Sequence, residues 1–152
     1  MRDPLATILK MPASRIRAVP MEIGGGFGGK NRIYCEPIAA MLAKRAGHPV
    51  KLTMTREEVL QASGPASGTY IRGQVGAMRD GTIVAFQLWM AYEAGAFPGS
   101  PVGGGINTSL GQYAVPNVRL DGYDVVVNRP RNAAYRAPGV PAPNFVIESL
   151  VD

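Results

Sequence analysis

Five of the six residues from Gly24 to Gly29 are glycine, and the sixth is Phe27. Glycine at this density permits positive φ and leaves main-chain N–H groups uncovered by side chains. Such a loop brings backbone donors within hydrogen-bond range of an anionic or oxo-bearing ligand. From Tyr34 to Ala46 apolar residues recur at helical spacing, so the loop is expected to open onto a helix N-terminus with its free N–H groups and partial positive charge. The stretch reads as a cofactor cradle.

The flanking sequence predicts a βαβ-like unit. Asp3-Pro4 ahead of Leu5, Ile8 and Leu9 reads as a capped short helix ended by Pro12. Arg15 to Ile23 alternates apolar and charged residues and reads as a strand feeding the loop. Gly47-His48-Pro49 closes the following helix, a strand is expected at Val50 to Met54, and Thr55 caps a short helix to about Gln61. Beyond Pro65 the pattern changes. Tyr70 to Met78 and Thr82 to Tyr92 read as a hairpin joined by Arg79-Asp80-Gly81. Ala94 to Leu110 is rich in Gly, Pro and Ser and reads as a long ligand-facing loop. Val118 to Asn128 is expected as a strand with Val125 to Val127 buried, and Pro143 to Asp152 as a helix without a C-terminal cap. The fold class is α+β, a mixed sheet with the βαβ-like unit followed by antiparallel strands.

Composition narrows the function. The 152 residues suit a single domain with a real core. Charged residues make up 18%, below the roughly 25% usual in soluble domains, which suits a piece that meets other protein or a large cofactor. The net charge of +5 favours anionic partners such as phosphate. No basic run interleaves with aromatics, so nucleic acid is not an expected partner. The lone Cys35 excludes an internal disulfide and a cysteine-cluster metal site. No apolar run approaches a membrane span, and the expected location is cytoplasmic. His48 and Cys35 read as structural, Glu57 and Glu58 point apart on a helix, and Glu36 supports a helix dipole. Trp89 and Tyr92 read as sheet packing.

Three readings of the glycine loop compete. Gly24, Gly26 and Gly29 satisfy the G-x-G-x-x-G dinucleotide fingerprint of a nicotinamide-dependent oxidoreductase, although Pro20 and Glu22 interrupt the strand that should precede it. Gly24 to Lys30 satisfies G-x-x-x-x-G-K of a phosphate-binding loop, but Asn31 replaces the Ser or Thr that would bind Mg²⁺. A plain packing turn in a non-enzymatic interaction module explains two or three glycines, not five around Phe27.

The loop, together with Tyr135-Arg136-Ala137-Pro138-Gly139 and Asn144-Phe145-Val146-Ile147-Glu148, resembles the molybdenum-binding subunit of the xanthine dehydrogenase and aldehyde oxidase family. It is most similar to bacterial large subunits that carry molybdopterin cytosine dinucleotide. The resemblance runs along nearly the whole chain in order, with about a hundred residues between loop and arginine. It implies that residues 1–152 are one cofactor-binding domain cut from a longer subunit, inactive when isolated. The family's general-base glutamate lies far downstream, and a cofactor-facing glutamine lies just upstream.

The resemblance also implies roles. Phe27 with Gly25, Gly26 and Gly28 would lie beside the molybdenum oxo group, and Arg136 would be the second contact, neither ligating the metal directly. A guanidinium suits this, since it keeps its proton and offers several hydrogen bonds. The amides near Phe27 and the Arg136 guanidinium are thus expected to converge on one pocket. Asn31 and Pro138 would face the substrate. Xanthine-type enzymes have glutamate and phenylalanine at those two places, so aldehydes or N-heterocycles are implied in place of purines. Ala137 stands where copper-containing carbon monoxide dehydrogenases have cysteine, and it cannot bridge copper. Oxygen would come from water, and electrons would pass to an iron–sulfur small subunit and an FAD medium subunit.

Overall fold

Leu5, Ile8 and Leu9 share one face of the first helix, α1 (Arg2–Leu9), in a computed structural model that describes residues 1–152. Asp3 lies in the first turn and not at the cap, where its charge complements the helix dipole. Lys10 ends the helix in the left-handed region, and the N–H groups of Lys10 and Met11 return to the Thr7 and Ala6 carbonyls at 3.4 and 3.0 Å. A 3₁₀ turn follows at Ala13–Arg15.

The chain divides into two units, Met1–Ser63 and Gly64–Asp152. In the first, α2 (Glu36–Ala46) has Pro37 in its opening turn and stops at Gly47 with φ 71°. α3 (Arg56–Ala62) begins at the predicted Thr55 cap, which Glu58 completes as a capping box. The Glu58 N–H donates to Thr55 Oγ1 at 3.2 Å, and the Thr55 N–H donates to Glu58 Oε2 at 2.7 Å. Neither strand expected in this unit forms. Arg15 to Ile23 and Val50 to Met54 carry no ladder, because alternation alone makes no strand without a neighbour to bond. Val19, Met21 and Ile23 are exposed, and Leu5 is the buried apolar side chain of the unit.

The second unit holds the sheet. β1 (Thr69–Ala77) and β2 (Ile83–Gly95) pair antiparallel. Their turn is the predicted one: the Gly81 N–H donates to Met78 O at 3.0 Å, and the Asp80 carboxylate accepts from the Thr82 N–H at 3.0 Å. That pairing holds the Asp80 carboxyl below the usual carboxylate range, chiefly through hydrogen bonding from Thr82. A seven-residue helix, α4 (Val102–Thr108), then crosses to β3 (Asn117–Val126), which pairs parallel to β2. α5 (Pro141–Val151) packs on the same face.

The mixed sheet and the α+β class stand, with order β1-β2-β3. The crossover lies within the stretch expected to be a loop, since Ala94 to Leu110 contains the end of β2 and α4. Alternation along β2 buries Phe86, Leu88, Met90, Tyr92 and Ala94, and the first four pack with Leu110 and Ile147. Trp89 takes the other face, with its ring 5.1 Å from that of Tyr123. Val125 and Val126 are exposed, contrary to the expected burial, because β3 is an edge strand at the end of its ladder. No helix is long and apolar enough to cross a membrane.

Candidate functional site

Within the first unit, the glycine run forms a tight loop led by residues of left-handed backbone. Gly24, Phe27 and Gly28 have φ of 59°, 48° and 98°. For Phe27 this is a strained conformation, of order 1–3 kcal/mol for a non-glycine residue. The Gly29 N–H closes the turn on Gly26 O at 2.8 Å, and a 3₁₀ turn covers Gly29–Asn31. Lys30 is folded back, its ammonium donating to Ile23 O. The Phe27 ring lies over Gly25, where a Cβ would come within 2.8 Å of Cε2, yet the side chain is 63% exposed. No carbonyl or side-chain oxygen accepts from the amides of Gly24 to Gly28.

The loop does not open directly onto a helix. Arg32 to Cys35 intervene before α2, and the Glu36 carboxylate already serves that end, accepting from the Tyr34 N–H at 2.7 Å. The Tyr34 hydroxyl donates to Gly29 O at 3.2 Å, and burial raises its pKa. With no strand entering and a carboxylate at the helix start, the dinucleotide fingerprint lacks the strand–loop–helix context that gives it meaning.

Within the second unit, the loop Arg131 to Val140 is fixed from several sides. The Asn132 N–H donates to Ala94 O at 3.1 Å, its buried side-chain amide donates to Glu93 O, and the Ala133 N–H reaches Pro65 O at 3.1 Å. Further along, the Tyr92 hydroxyl donates to Gly139 O at 2.7 Å. Burial pushes the Tyr92 phenol up to about 12, so it remains a protonated donor. The glycines of α4 let this loop approach. A Cβ on Gly105 would stand 2.7 Å from the Tyr92 hydroxyl and 3.0 Å from Gly139 O, and one on Gly104 would stand 2.6 Å from Pro138 O.

Arg136 and Pro138 line a pocket of about 180 Å³ with Ser67, Thr69, Tyr92 and Tyr135. The guanidinium makes no ion pair, in contrast to Arg129, which binds Glu93 at 3.1 Å. No carboxylate lines the pocket. Ala137 has φ 52°, and the turn closes through the Val140 N–H on Ala137 O at 3.1 Å. The Glu148 carboxylate belongs elsewhere on α5, accepting from Gln112 Nε2 at 2.8 Å and the Tyr113 hydroxyl at 2.7 Å. These bonds hold the Glu148 carboxyl below its ordinary range and raise the Tyr113 phenol.

The predicted residues thus fall into two groups. Gly25, Gly26, Phe27, Gly28 and Asn31 share one loop, and Arg136 and Pro138 share one pocket. The expected meeting of Phe27 with Arg136 joins residues of different units and is a matter of proposal. Ser67, Thr69 and the second role of Tyr92 were missed. No local signal links Tyr92 to a carbonyl 47 residues away; alternation along β2 shows only that it points inward. No three His, Cys, Asp or Glu side chains converge as metal ligands would. The amides of Gly24 to Gly28 have no internal acceptor and the Arg136 pocket has no lining carboxylate, which fits an anionic ligand rich in oxygen acceptors.

Comparison with known proteins gives that ligand a class. The family model described as molybdopterin cofactor-binding domain matches residues 1–152. The nicotinate dehydrogenase large molybdopterin subunit of Eubacterium barkeri is 34% identical, across 92% of this chain and 34% of its own length. The xanthine dehydrogenase molybdenum-binding subunit of Escherichia coli O157:H7 is 33% identical, across 95% of this chain and 20% of its own. Among solved structures, quinoline 2-oxidoreductase from Pseudomonas putida 86 superposes with a TM-score of 0.91 at 26% identity, across 98% of this chain and 20% of that one. The chain therefore spans about a third or less of the length of these relatives.

Proposed function

Because the chain belongs to the molybdopterin cofactor-binding domain family, we propose that its 152 residues act as one cofactor-binding domain of a molybdenum hydroxylase. When bound, the molybdenum cofactor supplies the two-electron oxidation and the transfer of oxygen derived from water. The protein supplies placement and electrostatics. Phe27 would form an apolar wall, and the amides of Gly25, Gly26 and Gly28 would donate to oxygen acceptors of the cofactor. Arg136 would offer positive charge and hydrogen bonds to oxygen acceptors of the cofactor.

Donor-only chemistry carries this reading: amides from Gly24 to Gly28 with no acceptor, a guanidinium with no acid, and a pocket free of carboxylates. An oxygen-rich anion satisfies these groups, and a cation would be repelled. The cytosine dinucleotide form of the cofactor follows the resemblance to bacterial large subunits. Electron transfer to iron–sulfur and FAD subunits, and a cytoplasmic location, complete the proposal.

For substrate we propose an aldehyde or an N-heteroaromatic, with Asn31 and Pro138 on its side of the site. The nicotinate dehydrogenase and the quinoline oxidoreductase are both named for nitrogen heteroaromatics, which favours that class. The test is to purify the chromosomally tagged protein from its own cells and measure molybdenum by mass spectrometry and pterin by fluorescence. Stoichiometric molybdenum and pterin, reduced together in Gly26→Val, are the expected result. A protein free of both would sink the proposal.

A further inference from the structure

The loop that carries Arg136 is fastened at both ends to three consecutive residues of β2. At its start the Asn132 N–H donates to Ala94 O at 3.1 Å, and the Asn132 side-chain amide donates to Glu93 O. The Ala133 N–H adds its bond to Pro65 O beside them. At its finish Gly139 O accepts from the Tyr92 hydroxyl at 2.7 Å. Between the two fastenings no bond between main-chain groups holds Ala134, Tyr135 or Arg136. The arginine stands where the ends of its loop put it.

Asn132 is 5% exposed and is the buried polar residue of the chain. A buried amide is ordinarily explained by a main-chain group that needs a partner. Glu93 O already has one, since Ser67 Oγ donates to it at 2.5 Å. The Asn132 amide is a second donor to a carbonyl that is already paired. Chain path does not require it either, because Gly95 and Gly64 let Pro130 to Ala133 pass in close contact, and a Cβ on Gly95 would collide with Pro130 O. What the amide adds is orientation. One bond leaves a residue free to turn about it, whereas two bonds to neighbouring carbonyls fix the direction in which the chain leaves toward Arg136. We propose that Asn132 is a positioning residue for Arg136, setting where the guanidinium stands toward the ligand. The assignment rests on the reading that Arg136 meets the bound cofactor.

The test uses the chromosomally tagged protein, purified with its cofactor, and needs no substrate. Asn132→Ala removes the amide, and Asn132→Asp keeps the side chain's size while removing the donor. After reduction with dithionite, electron paramagnetic resonance of molybdenum(V) reports the metal's surroundings in its g-values and occupancy in its amplitude. A merely structural loss lowers the amplitude and leaves the g-values alone. We expect both variants to move the g-values toward those of Arg136→Ala, and Asn132→Ala/Arg136→Ala to match Arg136→Ala by itself. Phenylglyoxal labelling, mapped by mass spectrometry, is the second readout, with exposed Arg79 as the internal reference. In both Asn132 variants Arg136 should react about two- to tenfold faster relative to Arg79, the change that one hydrogen bond commands. Unmoved g-values in the Asn132 variants, an unmoved Arg136 rate, additive shifts in the double variant, or failure of both variants to fold would each overturn the proposal. A parent protein with no molybdenum signal, or Arg136→Ala with the parent's g-values, would instead sink the reading on which it rests, and this assignment with it.

Discussion

The Tyr92 hydroxyl, buried in the sheet core, donates to the Gly139 carbonyl at 2.7 Å and ties the arginine loop to β2. Tyr92→Phe keeps the ring and removes the donor. We expect a loss of about 1–3 kcal/mol, the penalty for leaving a desolvated carbonyl unpaired. Urea unfolding of both proteins at neutral pH measures it. An unchanged midpoint would mean that water replaces the hydroxyl.

Two neighbouring glycines of α4 should respond with opposite sign. A Cβ at Gly105 meets the Tyr92 hydroxyl and Gly139 O, whereas one at Gly103 meets nothing within 4 Å. Gly105→Ala is expected to destabilise by about 1–3 kcal/mol through overpacking. Gly103→Ala should stabilise by up to about 1 kcal/mol through helix propensity. Thermal unfolding of the pair checks both signs at once.

Asp124 gives the second unit an acid dependence. Its carboxylate accepts from the Gly99 and Ser100 N–H groups at 2.8 and 2.9 Å. Hydrogen bonding from Ser100 and from Gly99 holds its pKa below the ordinary value. A group with a depressed folded pKa contributes fully above its unfolded pKa of about 3.9, and that contribution is lost as pH falls through the folded value. Asp124→Asn should therefore flatten the decline in stability below about pH 4 relative to the parent chain. Denaturant midpoints across that range are the measurement.

Arg136 is exposed and unpaired, so its replacement should leave folding nearly intact while affecting chemistry. In the holoprotein, Arg136→Ala is expected to shift stability by less than about 0.5 kcal/mol. It should lower kcat about 10²–10³-fold, the usual consequence of removing one donor from a developing charge. Arg136→Lys should recover part of the loss, since it restores charge without the planar fork. Unchanged turnover in Arg136→Ala would remove this residue from the site.

The 152-residue chain by itself is expected to turn over neither aldehydes nor N-heteroaromatics with an artificial electron acceptor. No carboxylate lines the Arg136 pocket to act as a general base. Spectrophotometric assay of the purified chain decides this, and measurable turnover would overturn the assignment of the base to a region outside these residues.

Local chemistry was legible wherever neighbours in sequence act on one another. The Thr55 cap, the Asp80-Gly81 turn of the β1–β2 hairpin and the left-handed stop at Gly47 all depend on groups a few residues apart. The motif residues were legible as well, because Gly24 to Gly29 and Tyr135 to Gly139 announce unusual backbone and an unusual charge.

Tertiary structure decided what depends on distant partners. Val102-Gly103-Gly104-Gly105 is poor helix by propensity, and it becomes α4 where side chains there would collide with Tyr92, Pro138 and Gly139. Arg15 to Ile23 has a strand's alternation but no strand beside it, so it stays unpaired. β3 could read equally as antiparallel, and it runs parallel to β2 because α4 carries the chain across between them. Propensity acts over a few residues, whereas pairing and close packing require surfaces that exist only once the chain has folded.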